Sequence, residues 1–167
     1  MMDASDAFWA AKQVAAFTDE EIRAIVETGE FSDERTTGWI ARCLIQRRDK
    51  IAQAWFSKVL PLDRFRVADG ALAFDDLRQN HESGAPGSYG VHWSAYDNDH
   101  GTLTPLSSKG EAVNAMRGRL SVRLPAMRGD GYWAALLESA ARPRQSVRVY
   151  VRKHGERTAV VGIDRVQ

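Results

Sequence analysis

A change of hydrophobic period at Pro61 divides this sequence into a helical part and a strand part. Before Pro61, over residues 5–60, apolar residues recur with the spacing of amphipathic α-helices. After it, apolar and polar residues alternate in short runs, which is typical of strands with one buried face. The sequence therefore predicts an α+β protein, with a helical segment over residues 1–61 and an antiparallel β-sandwich over residues 62–167. We expect the two parts to form one compact unit.

Three helices are predicted in the first part, and the third is the longest. Ser5 or Asp6 can cap the first helix, and Thr18 and Glu21 form a capping box that starts the second. Ser32 is the predicted cap of the third, which we expect to end near Val59 because Pro61 follows it. The first two helices are too short to be stable alone, so we expect them to pack on the third.

Two arginines fall within or beside the wide apolar arc of the third helix. At about 100° per residue, Arg47 lies among the apolar positions and Arg48 at their edge. A buried guanidinium without a partner is costly, so we predict that each reaches a carboxylate, a carbonyl or water. The candidate partners are Asp63, Asp75 and Asp76. An alternative is that Arg47 and Arg48 bind an anionic ligand beside the helix.

The strand part contains about seven or eight short segments of alternating polarity. Asp69-Gly70, between two such segments, predicts a hairpin. Pro105 indicates that the strand over residues 102–106 lies at a sheet edge. Residues 132–141 have a helix-favouring composition but lie between strands, and we predict a strand there. The spacing of the segments is typical of a sandwich of the immunoglobulin or fibronectin type III class.

Composition excludes several classes of protein. The single cysteine, Cys43, excludes an internal disulfide and a multi-cysteine zinc site. No run of about 18 apolar residues is present, and the first residues lack the pattern of a signal peptide. We therefore expect a soluble, cytoplasmic protein with no membrane partner.

Charge is divided unevenly along the chain. Residues 1–114 hold 12 basic and 18 acidic residues, whereas residues 115–167 hold 11 basic and 4 acidic residues. The basic residues of the second stretch are spaced singly. Attraction between the two parts of the chain is therefore favoured over an acidic partner.

His92, Asp97 and His100 lie close together in the sequence and are the candidate metal ligands. Imidazole and carboxylate groups are common zinc ligands. However, the turn that contains two of them has an ordinary turn composition, so we predict that no metal is bound. An alternative function is an enzyme of unknown type with its site near these residues, and with Arg47 and Arg48 lining the same cleft.

No motif identifies a catalytic residue or a cofactor site. Ser88 misses the spacing of a hydrolase nucleophile elbow by one residue, and it precedes a strand instead of following one. Gly129 and Gly131 imitate part of a dinucleotide-binding fingerprint, but no βαβ unit surrounds them. The sequence therefore favours a protein that is not an enzyme and uses no cofactor.

Basic and aromatic residues alternate on two of the predicted strands. The outward-facing set consists of Arg119, Arg123, Arg148, Tyr150 and Arg152. A surface of this kind can bind a polyanion or a single-stranded nucleic acid, which is a further alternative function. Because the formal net charge of the whole chain is only +1, nucleic acid is a disfavoured partner and a solvated sheet face is expected.

Four segments spread over nearly the whole chain are similar to a known group of sequences. They are FWAAKQVAAFTDEEIRAIVETGEFSD, LIQRRDKIAQAWF, PLDRF and, near the end, VVGIDR. They resemble the C-terminal module of large uncharacterised bacterial proteins. The resemblance implies helices joined to a β-domain within a larger polypeptide, and it implies no activity and no site residues. The favoured function is therefore a non-catalytic accessory or interaction domain. Its expected partner is another protein or the remainder of a larger polypeptide, and its oligomeric state is open.

Overall fold

Three helices precede the strands in the computed structural model, which describes residues 4–80, 88–116 and 119–166. The helices are α1 (Ala4–Ala15), α2 (Asp19–Glu27) and α3 (Glu34–Phe56). Within these described ranges, no helix combines the length and the apolar character needed to cross a membrane. The chain divides into two compact units, a helical unit (Met1–Lys58) and a strand unit (Val59–Gln167).

The predicted capping box of α2 is confirmed. The Thr18 hydroxyl accepts a hydrogen bond from the backbone N–H of Glu21, and the Glu21 carboxylate accepts one from the N–H of Thr18. The predicted cap of α3 is wrong, because Asp33 takes the place of Ser32. The Asp33 carboxylate accepts hydrogen bonds from the N–H of Arg35 and the hydroxyl of Thr36, and these bonds lower its pKa.

The buried stripe of α3 is narrow, and it holds Ala41, Arg48, Ala52 and Phe56. These positions recur every four or seven residues, which is the repeat of a single helix face. Both α1 and α2 pack on α3. The prediction that Arg47 lies at the centre of a wide buried arc is wrong, because Arg47 is exposed and Arg48 occupies the buried stripe.

Ten strands lie in the described ranges, and every pairing among them is antiparallel. They are β1 (Leu62–Ala68), β2 (Ala71–Asp76), β3 (Tyr89–Asp97), β4 (Thr102–Pro105), β5 (Glu111–Ala112), β6 (Asn114–Met116), β7 (Arg119–Arg123), β8 (Gly131–Ser139), β9 (Ser146–His154) and β10 (Arg157–Val166). A 3-10 helix, Leu77–Asn80, follows β2. The smaller sheet has the order β1-β2-β7-β6. The larger has the order β10-β9-β8-β3-β4, with β5 also paired to β3. The predicted α+β class is confirmed.

Three local predictions for the strand unit are confirmed. Asp69 and Gly70 join β1 to β2 with φ angles of 51° and 69°, the left-handed conformations that a tight hairpin turn requires. The strand that contains Pro105 is at the edge of the larger sheet. The strand predicted over residues 132–141 is β8 (Gly131–Ser139), which lies between β3 and β9, and residues 140 and 141 form a turn after it. Its helix-like composition is explained by this central position, where Ala134 and Ala135 are both buried.

The core of the strand unit is one apolar cluster to which both sheets contribute. Leu72, Phe74 and Leu120 come from the smaller sheet, and Leu137 and Val149 come from the larger. The predicted inward valines of β9 are fully buried. Alternation on each strand therefore places one apolar face in a shared core and leaves the other face available for a site.

Candidate functional site

Arg48 is a structural residue of the helical unit. Its guanidinium donates hydrogen bonds to the carbonyl oxygen of Phe17 at 2.8 Å, to Asp19 at 2.7 Å and to Asp49 at 2.8 Å. Burial alone would lower the pKa of Arg48, but the two carboxylates outweigh it and the pKa is raised. Since Phe17 and Asp19 flank the start of α2, Arg48 ties the α1–α2 connection to α3.

The partners predicted for Arg48 are wrong. The three predicted carboxylates instead pair with arginines of the strand unit: Asp63 with Arg165, Asp75 with Arg64 and Arg66, and Asp76 with Arg78. Arg48 finds closer acceptors within the helical unit. One is its own neighbour in the sequence, Asp49, whose carboxylate a helix pattern alone does not bring to Arg48.

The helical unit carries an apolar groove of about 350 Å³, to which all three helices or their connections contribute. Its apolar lining consists of Val14, Phe17, Ile22, Ile25, Leu44 and Ile51. Five of these six side chains are exposed, and only Ile22 is buried. Arg47 and Arg48 also line this helical groove. The guanidinium of Arg48 is engaged by carboxylates, whereas Arg47 is an exposed cation beside apolar surface.

The candidate metal ligands are not gathered into one group. Asp97 and His100 meet in the turn after β3, where His100 Nδ1 lies 2.8 Å from Asp97 Oδ2. The hydrogen bond with the His100 ring is the main cause of the lowered pKa of Asp97, and backbone N–H groups add to it. His92, on β3, instead has its Nε2 atom 3.8 Å from Glu138 Oε2. Across the described parts of the chain, no set of three or more His, Cys, Asp or Glu side chains could hold a metal ion.

The predicted basic and aromatic set is divided between the two sheets. Arg148, Tyr150 and Arg152 lie on β9 of the larger sheet, whereas Arg123 lies on β7 of the smaller. Arg119 is the first residue of β7, and its side chain is outside the described part of the structure. These residues therefore do not form one strand-to-strand surface.

Aromatic rings on the larger sheet are packed against neighbours of the same sheet. The rings of Tyr96 and Tyr150 are 4.8 Å apart between centroids. The guanidinium of Arg152 lies 5.5 Å from the centroid of the Tyr132 ring. Stacking on a bound base would require these contacts to open or to be shared.

The structure brings together two residues that the sequence assigned to different candidate sites. His92 pairs in register with Leu136, and Leu136 pairs in register with Arg148. Both His92 and Arg148 line a groove of about 310 Å³ on the outer face of the larger sheet. The walls of this sheet groove include Leu103 and Pro105 of β4. Strand order was the missing information, because His92 and Arg148 are far apart in the sequence.

Two buried polar groups connect the sheets of the strand unit, and sequence reasoning did not find them. The Tyr89 hydroxyl, on β3, donates a hydrogen bond to Asp76 on β2, and Arg78 donates to both. Burial and the bond to Asp76 raise the pKa of Tyr89. The available signal was Tyr89 itself, because a buried tyrosine hydroxyl usually has a hydrogen-bond partner.

Arg165 of β10 makes the second connection between the sheets. It donates hydrogen bonds to the carbonyl oxygens of Leu60 at 3.1 Å and Leu62 at 2.9 Å, beside Asp63. Burial lowers the pKa of Arg165, and Asp63 partly offsets that effect. Because its donors are directed at backbone carbonyls, Arg165 holds β10 beside the start of β1.

No protein-family model, curated protein or solved structure matches this chain.

Proposed function

We propose that this protein is a non-catalytic interaction domain whose helical groove binds an amphipathic helix of a separate protein chain. The observation that carries the proposal is the exposed apolar lining of the groove. Val14, Phe17, Ile25, Leu44 and Ile51 are all exposed. They come from the three helices and the α1–α2 connection, and they line one groove. Contiguous exposed apolar surface of this kind marks interaction sites more often than scattered single residues do.

The chemistry of the lining defines the partner. A groove between helices accepts the apolar face of an amphipathic helix, whose residues at spacings of three and four fill it. Arg47 is the exposed cation of the lining, and a carboxylate on the partner helix would complement it. The expected segment therefore has leucine-like residues on one face and an aspartate or glutamate beside that face.

Site-specific photocrosslinking tests this proposal in cells that produce the protein. A benzophenone amino acid replaces Ile25, in the helical groove, or Val161, on β10. Val161 is the matched control for Ile25, because Ile25 is 56% exposed and Val161 is 53% exposed. We expect a defined crosslink from position 25, mapped by mass spectrometry to an amphipathic segment of another protein, and none of comparable yield from position 161.

Three outcomes would contradict the proposal. Equal crosslinking from both positions would indicate non-specific contact, and no crosslink from position 25 would indicate an unused groove. A crosslink that maps to the protein's own polypeptide would show that the groove has an internal occupant. A mapped segment without an apolar face would refute the proposed mode of recognition.

We also infer that the two sheets form a sandwich of the immunoglobulin or fibronectin type III kind. The shared apolar core and the Tyr89–Asp76 bond support this inference. Aligned sandwiches have a mean angle of about 30° between the strands of their two sheets. An experimental structure with strands crossing at about 90° would contradict it.

A further inference from the structure

We infer that the sheet groove is a binding site for a small organic acid that has an apolar body and one carboxylate. The inference is independent of the proposed protein-binding function, because the groove belongs entirely to the strand unit. A volume of about 310 Å³ is at the lower end of the range of small-molecule sites.

The groove exists because two small side chains lie side by side on β3 and β8, in a row that ends at the larger Tyr150 on β9. Ser94 on β3 is in register with Ala134 on β8. The neighbouring row on the same face holds His92, Leu136 and Arg148, which are all larger. Small side chains beside a row of larger side chains leave a depression on this face of the sheet. Ser94 and Ala134 form its floor.

The walls of the sheet groove are mainly apolar. Leu103 and Pro105 of β4 stand on one side of the floor, with Pro105 in register with Ser94. Leu136 stands on another side. These side chains suit a hydrocarbon or aryl group, because they offer no hydrogen-bonding partner to it. The body of the ligand is therefore expected to be apolar.

The polar groups of the groove are donors for a carboxylate. Arg148 is partly exposed, and it has no hydrogen bond or ion pair with any side chain in the described ranges 4–80, 88–116 and 119–166. A guanidinium can bind a carboxylate through two parallel hydrogen bonds. Ser107 and Ser108, in the segment after β4, contribute hydroxyl groups to the lining. His92 is about 10 Å from Arg148 across two strand spacings and marks the opposite end of the row.

Gly110 lies close to the side chain of His92. A Cβ atom at this position would lie 2.7 Å from Nε2 of His92, closer than atoms pack. The absence of a side chain at Gly110 therefore allows the segment after β4 to lie against the imidazole. A side chain at position 110 would therefore require the His92 ring or this segment to move.

NMR titration of the ¹⁵N-labelled protein with octanoate at pH 7 tests the inference. Octanol is the matched neutral probe, since it has the same chain without the carboxylate. We expect saturable shifts of the amides of residues 92–94, 103–108 and 134–136 with a Kd below about 1 mM, and at least tenfold weaker binding of octanol. Arg148→Gln should weaken octanoate binding at least tenfold.

Arg152→Gln is the matched control variant, because Arg152 is four residues from Arg148 on the same face of β9 but does not line the groove. It makes the same change in net charge, and we expect octanoate binding within about twofold of the parent. Equal losses from both substitutions would reduce the effect to overall charge and overturn the inference. Non-saturable shifts, shifts outside the groove, or equal affinity for octanol would overturn it as well.

Discussion

In the helical unit, Phe17, Ile25 and Leu44 are exposed around a groove, whereas in the strand unit the inward residues of β9 are fully buried in a core shared by two sheets. The two units have a comparable content of apolar residues. They differ in how much of that apolar surface is buried against other residues. Each strand has two faces, and the core takes one face of each. The three helices have apolar surface on more sides than their mutual contacts cover. This surplus is the physical basis of the proposed interaction site.

The largest expected contrast is between a core residue of the strand unit and a groove residue of the helical unit. Phe74→Ala should lower the free energy of unfolding of the strand unit by about 3–5 kcal/mol, because Phe74 is fully buried and its loss leaves a cavity. Ile25→Ala should lower that of the helical unit by less than about 1 kcal/mol. Urea unfolding measures both. A large effect of Ile25→Ala would show that the groove is structural core and would remove the contrast.

A second contrast lies within the helical unit, between two consecutive arginines. Arg48→Ala should lower the free energy of unfolding by about 1–3 kcal/mol, because the carbonyl of Phe17 and two carboxylates lose their donor. Arg47→Ala should change it by less than about 0.5 kcal/mol, since Arg47 is exposed. Urea unfolding of the two variants side by side is the measurement. The reverse order of effects would restore the sequence-based prediction that Arg47 is the buried residue.

A third prediction concerns the link between the sheets of the strand unit. Tyr89→Phe should lower the free energy of unfolding by about 1 kcal/mol near neutral pH, because Asp76 loses the bond from the tyrosine hydroxyl. The effect should shrink at high pH. The pKa of Tyr89 is raised in the folded protein, so above about pH 10 the unfolded chain releases this proton first and the folded state loses stability.

Chemical denaturation at pH 7 and at pH 11 measures both parts of that prediction. The parent should lose more stability than Tyr89→Phe between the two values, since the phenylalanine variant has no proton to release at this position. Parallel losses in the two proteins would mean that Tyr89 does not contribute to the alkaline decrease. They would also mean that its hydroxyl is not the sheet-to-sheet link described here.

The smallest expected effect is at the start of α2. Thr18→Ala removes the hydroxyl that accepts the N–H of Glu21, and it should lower the free energy of unfolding by about 0.5–1 kcal/mol. Thr18→Ser keeps the acceptor and should stay within about 0.3 kcal/mol of the parent. Thermal unfolding followed by circular dichroism distinguishes them. Equal destabilisation by both substitutions would assign the effect to the lost methyl group instead of the cap.

The strand faces could be predicted from the sequence because a period of two allows only two assignments. Once Val147, Val149 and Val151 are inward, every other residue of β9 is outward. In α3, a rotation by one residue exchanges Arg47 for Arg48, and the apolar arc is wide enough to permit either. Only the carboxylates that surround Arg48 decide between them. The local pattern therefore predicts the buried face of a strand more reliably than the buried face of α3.

The sheet groove could not be predicted, because its lining residues come from several strands. The pattern of residues within each strand does not reveal the order of the strands in the sheet. His92 and Arg148 line the same groove only because β8 lies between β3 and β9. Ser94 and Ala134 likewise lie side by side only because of the register in which β3 pairs with β8. The helical groove was within reach of the sequence only in part, since a wide apolar arc indicates surplus apolar surface but not where it stays exposed.

The central claim is that the exposed apolar residues of the helical groove form a protein-binding site, whereas the equally exposed Val161 of the strand unit does not belong to one. The most direct test is the Kd of the crosslinked partner segment for the parent protein, Ile25→Glu and Val161→Glu, measured by isothermal titration calorimetry. A carboxylate placed in the groove is desolvated on binding, so Ile25→Glu should weaken binding at least tenfold, and Val161→Glu should leave the Kd within about twofold of the parent. Equal Kd values for all three proteins, or an equal loss in both variants, would contradict the claim.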